Sequence, residues 1–345
     1  MARWLVLGRL SFAVLAVLWS VALPRAFGAG PSDADVYSFD DFPMDEPITY
    51  PAWFKRSFLD IRSDLSEALA EGKRGVMVYF GQQRCPYCER LMRVNFGLSD
   101  IVEYTRRHFD LVPIDIHGIE EVTTPDGALL SERDWAQREG TDFTPSILFY
   151  DAEGRVALRL RGYYPPYQFR AALEYVADGH YRRESFRDYL ARGENRMLFD
   201  PEDLNEEPFF APPPYNLDRR RRAERPLVVF FEQGDCHPCD VLHGQALRAP
   251  GIRRHFADLD VVQLDVRSQT PLITPAGTRT TARAWAADLG LFYAPALIFF
   301  DEEGREFLRL DSVTGFYRLR GVLNYVADKG YRTQTYGAWR SSRRD

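Results

Sequence analysis

The sequence predicts an α/β protein made of two tandem domains, each a mixed β-sheet flanked by helices. Three observations lead there. The chain matches itself at a shift of 150 residues: Leu173-Glu174-Tyr175-Val176-Ala177-Asp178 returns as Leu323-Asn324-Tyr325-Val326-Ala327-Asp328. All four cysteines lie in two C-x-x-C units, Cys85-Pro86-Tyr87-Cys88 and Cys236-His237-Pro238-Cys239, each a few residues after an apolar run. Each copy alternates strand-like apolar runs with helix-like stretches and then turns through a tight acidic hairpin, which is the pattern of parallel strands closed by an antiparallel pair. A period this long marks a duplicated domain, not a solenoid.

Both copies run in the same order. A buried-type strand comes first (76–80; 227–231), then a cysteine-bearing helix (86–96; 238–247) and a second strand (109–116; 259–266). An inserted turn follows, with Pro125-Asp126-Gly127 or Pro275-Ala276-Gly277, then a helix with Trp135 or Trp285. The hairpins join 146–150 to 156–160 and 296–300 to 306–310 through Asp-Ala-Glu-Gly and Asp-Glu-Glu-Gly, good turn signals. A last helix packs Phe169, Leu173, Tyr175 and Val176, or Leu319, Leu323 and Val326, on one face. In the first copy a helix over 57–71 places Phe58, Ile61, Leu65 and Leu69 on one stripe. The domains are therefore set at 51–190 and 226–345. They are joined by a Pro/Arg-rich linker at 191–225, whose run Arg219-Arg220-Arg221-Arg222 reads as a solvated stretch. Residues 30–50, acidic and proline-bearing, read as a mobile lead-in.

A length of 345 residues suits two ordinary domains, and 45% apolar content excludes general disorder. The net charge of −6 gives no case for a nucleic-acid partner. Arg3 and Arg9 precede an uncharged apolar run of 14 residues, 10–23, followed by Pro24 and small residues around Gly28 and Ala29. That is the form of a cleaved signal peptide over 1–29 and predicts a periplasmic protein. The run is shorter than the roughly 18–20 residues that span a bilayer, so a membrane anchor at 10–23 is the alternative. Outside the cytoplasm dithiols oxidise and persist. A disulfide across two intervening residues closes a tiny loop and stabilises little, so redox chemistry explains these cysteines better than structural bridging does.

A cysteine at a helix N-terminus meets backbone N–H groups and the positive end of the dipole, which lowers its pKa. Cys85 and Cys236 are accordingly expected to be exposed nucleophiles. Cys88 and Cys239, about one turn on, are expected to resolve the mixed disulfide. His237, when charged, would favour the Cys236 thiolate, so the second site is expected to be the more oxidising. Glu89 and Asp240 follow the resolving cysteines, where they either influence the thiols or face water. Thr144-Pro145 and Ala294-Pro295 stand just before the hairpin strands. A cis peptide bond there would offer edge groups to a bound peptide, making these four residues the substrate-binding candidates.

A strand, a C-x-x-C at a helix start and a proline before a hairpin about sixty residues later together resemble the thioredoxin superfamily, twice over nearly the whole mature chain. The Pro-Tyr dipeptide is similar to the glutaredoxin type. Export and the insertion before Trp135 look more like periplasmic thioredoxins of the SoxW type, associated with sulfur oxidation and the DsbC/DsbD system. The resemblance implies a thiol-disulfide oxidoreductase without a cofactor, attacking through Cys85 and Cys236, resolving through Cys88 and Cys239, with cis-prolines Pro145 and Pro295. Its partners would be disulfide-containing or thiol proteins and, for reduction, a membrane electron donor of the DsbD type. Tyr79 and Phe230 stand where cytoplasmic thioredoxin has a buried acid, Arg84 and Asp235 where it has tryptophan, and neither site has Gly-Pro.

Two readings of other classes remain open on sequence. Two C-x-x-C pairs, or Cys236, Cys239 and His243, have zinc-ligand spacing. A thioredoxin fold could also serve as a non-catalytic binding or chaperone module. Covalent haem needs His directly after the second cysteine, where this chain has Glu89 and Asp240.

Overall fold

The computed structural model describes residues 1, 31–193 and 204–343. The expected signal segment and part of the expected linker lie outside the described residues. The first domain contains β1 (Gly75–Gly81), β2 (Phe109–Asp115), β3 (Glu121–Thr123), β4 (Leu129–Ser131), β5 (Ser146–Tyr150) and β6 (Val156–Arg161). The second repeats the set with β7 (Tyr215–Asn216), β8 (Leu227–Glu232), β9 (Asp260–Asp265), β10 (Pro271–Ile273), β11 (Arg279–Thr281), β12 (Ala296–Phe300) and β13 (Glu306–Leu310). The main sheets have the orders β2-β1-β5-β6 and β13-β12-β8-β9. β1 pairs parallel with β2 and antiparallel with β5, and β8 does the same with β9 and β12. The inserted turns become the small hairpins β3–β4 and β10–β11.

The central strands are buried on both faces, which is why they read as unbroken apolar runs. Side chains alternate across the sheet. Met77, Tyr79 and Phe149 face Phe169 and Leu173, while Val76, Val78 and Phe80 face Ile61 and Trp135. Val228, Phe230 and Phe299 likewise face Leu319 and Leu323, and Val229, Phe231 and Ile298 face Trp285. The last expected helices are Pro166–Ala177 and Phe316–Ala327. Each copy then adds a further helix, Phe186–Gly193 or Tyr336–Ser341, anchored by Phe186 and Leu190 or by Tyr336 and Trp339.

Several expectations change. The first helix runs Ile61–Ala70 and starts at Asp60, whose carboxylate accepts the Ser63 amide at 3.1 Å. Ser57 lies before it, hydrogen-bonded to Asp64, and Phe58 is fully exposed instead of on the buried stripe. The cysteine helices relax after one turn into π-helical stretches, Leu91–Asn95 and Leu242–Ala246. The region read as linker contributes β7 to the β10 edge. Its Arg219 is buried, not solvated, and bonds Asp260 at 2.8 Å, while Arg222 reaches Glu303 at 3.2 Å. The stretch read as a mobile lead-in packs instead, with Val36 and Asp41 buried, because both domains supply it with partners.

A buried charge cluster ties the linker to the second domain. His243 lies 2.9 Å from Glu232 and 3.3 Å from Glu207, and Arg253 reaches Glu207 at 2.8 Å. Burial works to lower the His243 pKa, but the hydrogen bonds and charges of Glu232 and Glu207 outweigh it and the net shift is upward. A raised folded-state pKa stabilises the fold fully below the ordinary histidine value, and that contribution disappears as pH rises through the folded value. Urea midpoints should therefore fall between pH 6 and pH 9, and His243→Asn should flatten that slope. An equal slope in the variant would show that other groups set it. In the first domain, Phe169→Ala should cost about 3–5 kcal/mol in the same assay, since the ring is fully buried against Phe96.

Candidate functional site: two cysteine pairs facing one interface

Cys85 is the N-cap of the helix Pro86–Arg90, in an extended conformation, and its Sγ accepts the Cys88 amide at 3.0 Å. Pro86 occupies the first turn, where a missing N–H costs nothing. Cys236 caps His237–Val241 in the same way and accepts the Cys239 amide at 3.2 Å. Both pairs are joined as disulfides, with Cα–Cα separations of 5.1 and 5.2 Å. Thr144–Pro145 and Ala294–Pro295 are both cis, as expected, and a third cis bond, Pro213–Pro214, was not anticipated.

The structure brings each cysteine pair beside its own proline loop. Cys85 Sγ lies 3.6 Å from the Thr144 carbonyl and 3.2 Å from Thr144 Oγ1. Gln82 Nε2 donates to that hydroxyl at 3.0 Å, and His117 Nε2 donates to Gln82 Oε1 at 3.1 Å. Because its oxygen already accepts from Gln82, the Thr144 hydroxyl can turn its proton toward sulfur. At the second site Ala294 has no hydroxyl, and only its carbonyl approaches Cys236, at 3.8 Å.

Glu89 is drawn into an ion pair with Arg93 at 3.0 Å, and Asp240 accepts from Asn205 at 2.9 Å. Tyr79 and Phe230 are fully buried in the sheet. The buried acid absent from position 230 is found two residues on, as Glu232 at the end of β8. A carboxylate closing an otherwise apolar run was its signal. His243, which had zinc-ligand spacing, is held between Glu232 and Glu207.

The main departure is exposure. Cys85 is 2% and Cys236 6% exposed, where open nucleophiles were expected. The cause is that the two cysteine-bearing faces turn toward each other. Phe143, ahead of the first cis bond, belongs to the core of the second domain and stacks near Tyr336, with ring centres 5.2 Å apart. Tyr293, ahead of the second, belongs to the core of the first and meets Tyr164 at 5.7 Å. The N-terminal stretch closes the seam. Tyr37 packs edge-on against His237 at 5.4 Å, Phe39 against Tyr87 at 5.0 Å, and the Met44 amide donates to the Arg84 carbonyl at 3.2 Å.

Asp41 is the fastening. Its carboxylate accepts the Tyr87 hydroxyl at 2.7 Å and the backbone amides of Tyr317 and Arg318 at 2.9 and 2.8 Å. The Gly315 amide donates to the Tyr87 hydroxyl at 2.8 Å. A side chain at Gly315 would place its Cβ 2.6 Å from the Asp41 carboxyl carbon, so glycine is needed for the close approach. A cleft of about 760 Å³ elsewhere between the domains, lined by Phe143, Arg161, Phe292 and Asp311, includes none of the cysteines.

A family model described as a thioredoxin-like domain matches residues 61–177 and 215–327. Among solved structures the chain is similar to a thioredoxin-fold protein from Helicobacter pylori, at 27% identity over 34% of this chain and 78% of that one, with a TM-score of 0.29. It is similar to a thioredoxin from Thermus thermophilus at 23% identity over 41% and 94%, with a TM-score of 0.27. It is also similar to the DsbD C-terminal domain of Neisseria meningitidis at 13% identity over 30% and 82%, with a TM-score of 0.24. No curated protein matches the chain. The two matched regions cover more than half of the sequence and each contains one C-x-x-C, so the chain belongs to the thioredoxin-like domain family, as a tandem thiol-disulfide oxidoreductase.

Proposed function

We propose that this chain works in the periplasm as a reductase of the disulfide-handling or sulfur-oxidation type. It exchanges disulfides with protein or small-thiol partners through both cysteine pairs and is recharged by a membrane electron donor of the DsbD type. The observation that carries this reading is the pairing of each helix-capping cysteine with a cis-proline loop at contact distance. In the reduced form the Cys85 or Cys236 thiolate attacks one sulfur of a partner disulfide, forming a mixed disulfide and releasing one partner thiolate. Cys88 or Cys239 loses its proton and attacks the capping cysteine, which releases the second partner thiolate and closes the intramolecular disulfide. Two electrons pass to the partner, and a dithiol donor returns them. Thr144 and Pro145, and Ala294 and Pro295, present backbone edges to the partner chain. The basic start and apolar run at 10–23 support export. Among the described residues no helix is long and apolar enough to cross a membrane.

An equilibrium redox titration of the mature protein, with Cys85→Ser and Cys236→Ser variants beside it, tests the reading. Two transitions are expected, each lost in its own variant. A potential near thioredoxin's roughly −270 mV fits a reductase, whereas one above about −180 mV would replace it with an oxidase or isomerase. Because both sites face inward, a protein partner reaches Cys85 only when the faces part. Asp41→Ala removes three hydrogen bonds from that seam, and reduction of Cys85–Cys88 by dithiothreitol should quicken roughly tenfold, the equivalent of about 1.4 kcal/mol. An unchanged rate would mean that the seam does not limit access.

A further inference from the structure

The second domain places a cation over the first site. Arg318, in the first turn of Phe316–Ala327, is 9% exposed. Its guanidinium lies over the Tyr87 ring, 3.3 Å from the centroid, inside the C-x-x-C dipeptide. It donates to the Thr144 carbonyl at 2.9 Å and to the Val313 carbonyl at 3.4 Å. The Asp41 carboxylate accepts the Arg318 backbone amide and its charge also acts on the guanidinium, although among the described residues no carboxylate lies within ion-pair distance of it.

Arg318 Nη2 donates to the Thr144 carbonyl oxygen at 2.9 Å, and Cys85 Sγ lies 3.6 Å from the same oxygen. Two atoms so placed are at most about 6.5 Å apart, at the outer edge of the roughly 4–6 Å over which an opposite charge favours an ionised group, or inside it. A buried guanidinium stays charged and is costly unless opposite charge is near, and Asp41 supplies part of that charge without pairing directly. Burial pushes the Arg318 pKa below its ordinary value, the direction expected of such a cation. With the disulfide closed, sulfur offers no charge. When a dithiol donor reduces it, the donor's two thiols become a disulfide, Cys88 takes up a proton, and Cys85 is left as a thiolate beside the cation. One proton goes to solvent.

We infer that Arg318 is a positioning residue of the first site, supplied by the second domain, which stabilises the Cys85 thiolate and thereby makes Cys85–Cys88 the more readily reduced of the two disulfides. The inference rests on Cys85 being the nucleophile. The repeat carries its own contrast: 150 residues earlier the aligned residue is Gln168, which is neutral. Together with Thr144 in place of Ala294, this places the stronger stabilisation of thiolate at the first site, opposite to the order expected from His237.

The test is the pH profile of alkylation by iodoacetamide, read at Cys85 by mass spectrometry in the reduced mature chain carrying Cys236→Ser and Cys239→Ser. Loss of packing around Arg318 would change the plateau rate through access, whereas loss of charge moves the midpoint. With Arg318 intact the midpoint should lie more than one unit below the free-thiol value of about 8.5. Arg318→Gln should raise it by about one unit, a tenfold lower rate on the acid side, and Arg318→Lys should restore most of the shift. A midpoint that is ordinary in the parent, or unmoved in Arg318→Gln whatever the plateau, overturns the inference, and an ordinary parent midpoint does so even if the glutamine variant does not fold. Alkylation at Cys88 in preference to Cys85 would instead overturn the assignment of the nucleophile, and the inference with it.

Discussion

The Val313 amide donates to the Tyr163 carbonyl at 3.2 Å, and these two residues occupy equivalent places in the two copies. Contact between equivalent residues of a duplicated pair is what an isologous, two-fold-like pairing produces, and this contact marks where its axis would pass. Gly162 and Ser312, another equivalent pair, meet beside it. Gly162 has φ +100°, and a side chain there would strike the Ser312 hydroxyl. The arrangement is that of an isologous dimer made from one chain. The two copies place similar groups in the seam: Phe143 lies near Tyr336, and Phe292, the neighbour of the residue equivalent to Phe143, lies near Phe186, the equivalent of Tyr336, with ring centres 5.2 and 4.9 Å apart. Because the axis passes beside the loops that follow β6 and β13, the cis-proline loops and cysteine helices are carried into the interface. The burial of Cys85 and Cys236 follows from that geometry.

A two-fold arrangement would make the sites equal, and three features prevent it. Asp41 of the N-terminal segment binds the first site's Tyr87, and among the described residues no carboxylate does the same at the second, where Pro238 stands at the aligned position. Thr144 carries a hydroxyl and Ala294 does not. Arg318 is aligned with Gln168. All three act at or beside Cys85, and the hydroxyl and the guanidinium bring donor or positive character to it. Duplication supplied two similar scaffolds, and substitution at a few seam positions made one of them electrostatically distinct.

The scaffold was legible from sequence because its signals are local or periodic. Runs such as Val76 to Phe80 and Leu227 to Phe231 can hardly be anything but strands buried on both faces, and the acidic Gly-ended turns fix the hairpins. The cysteine caps and cis-prolines were legible for the same reason: each depends on residues a few positions apart. What sequence could not show was contact between distant segments. Asp41 and Arg318 are 277 residues apart, and nothing in the local pattern around either marks it as part of the Cys85 surroundings. Residues 30–50 looked mobile because a polar, proline-bearing stretch cannot bury itself. It is ordered here by partners on both domains. Arg219 looked solvated within an arginine run, yet it is buried against Asp260 on a strand edge that only the fold brings near.

Burial and reactivity pull a cysteine in opposite directions. Removing water from a thiolate raises its pKa, while helix N–H groups, hydroxyl donors and nearby cations lower it. An open thioredoxin-type site needs little beyond the helix start, since solvent does the rest. A site closed within an interface loses that solvent and must replace it with fixed donors. The first site has them: the Cys88 amide at 3.0 Å, the Thr144 hydroxyl at 3.2 Å and the guanidinium across the shared carbonyl. The second has the Cys239 amide at 3.2 Å and an alanine where the hydroxyl would be. Closure of the seam therefore acts differently on the two disulfides. It favours the ionised product of reduction at Cys85 and, among the described residues, withdraws solvent from Cys236 with fewer replacements, so the two pairs differ electrostatically even though the folds that carry them are copies.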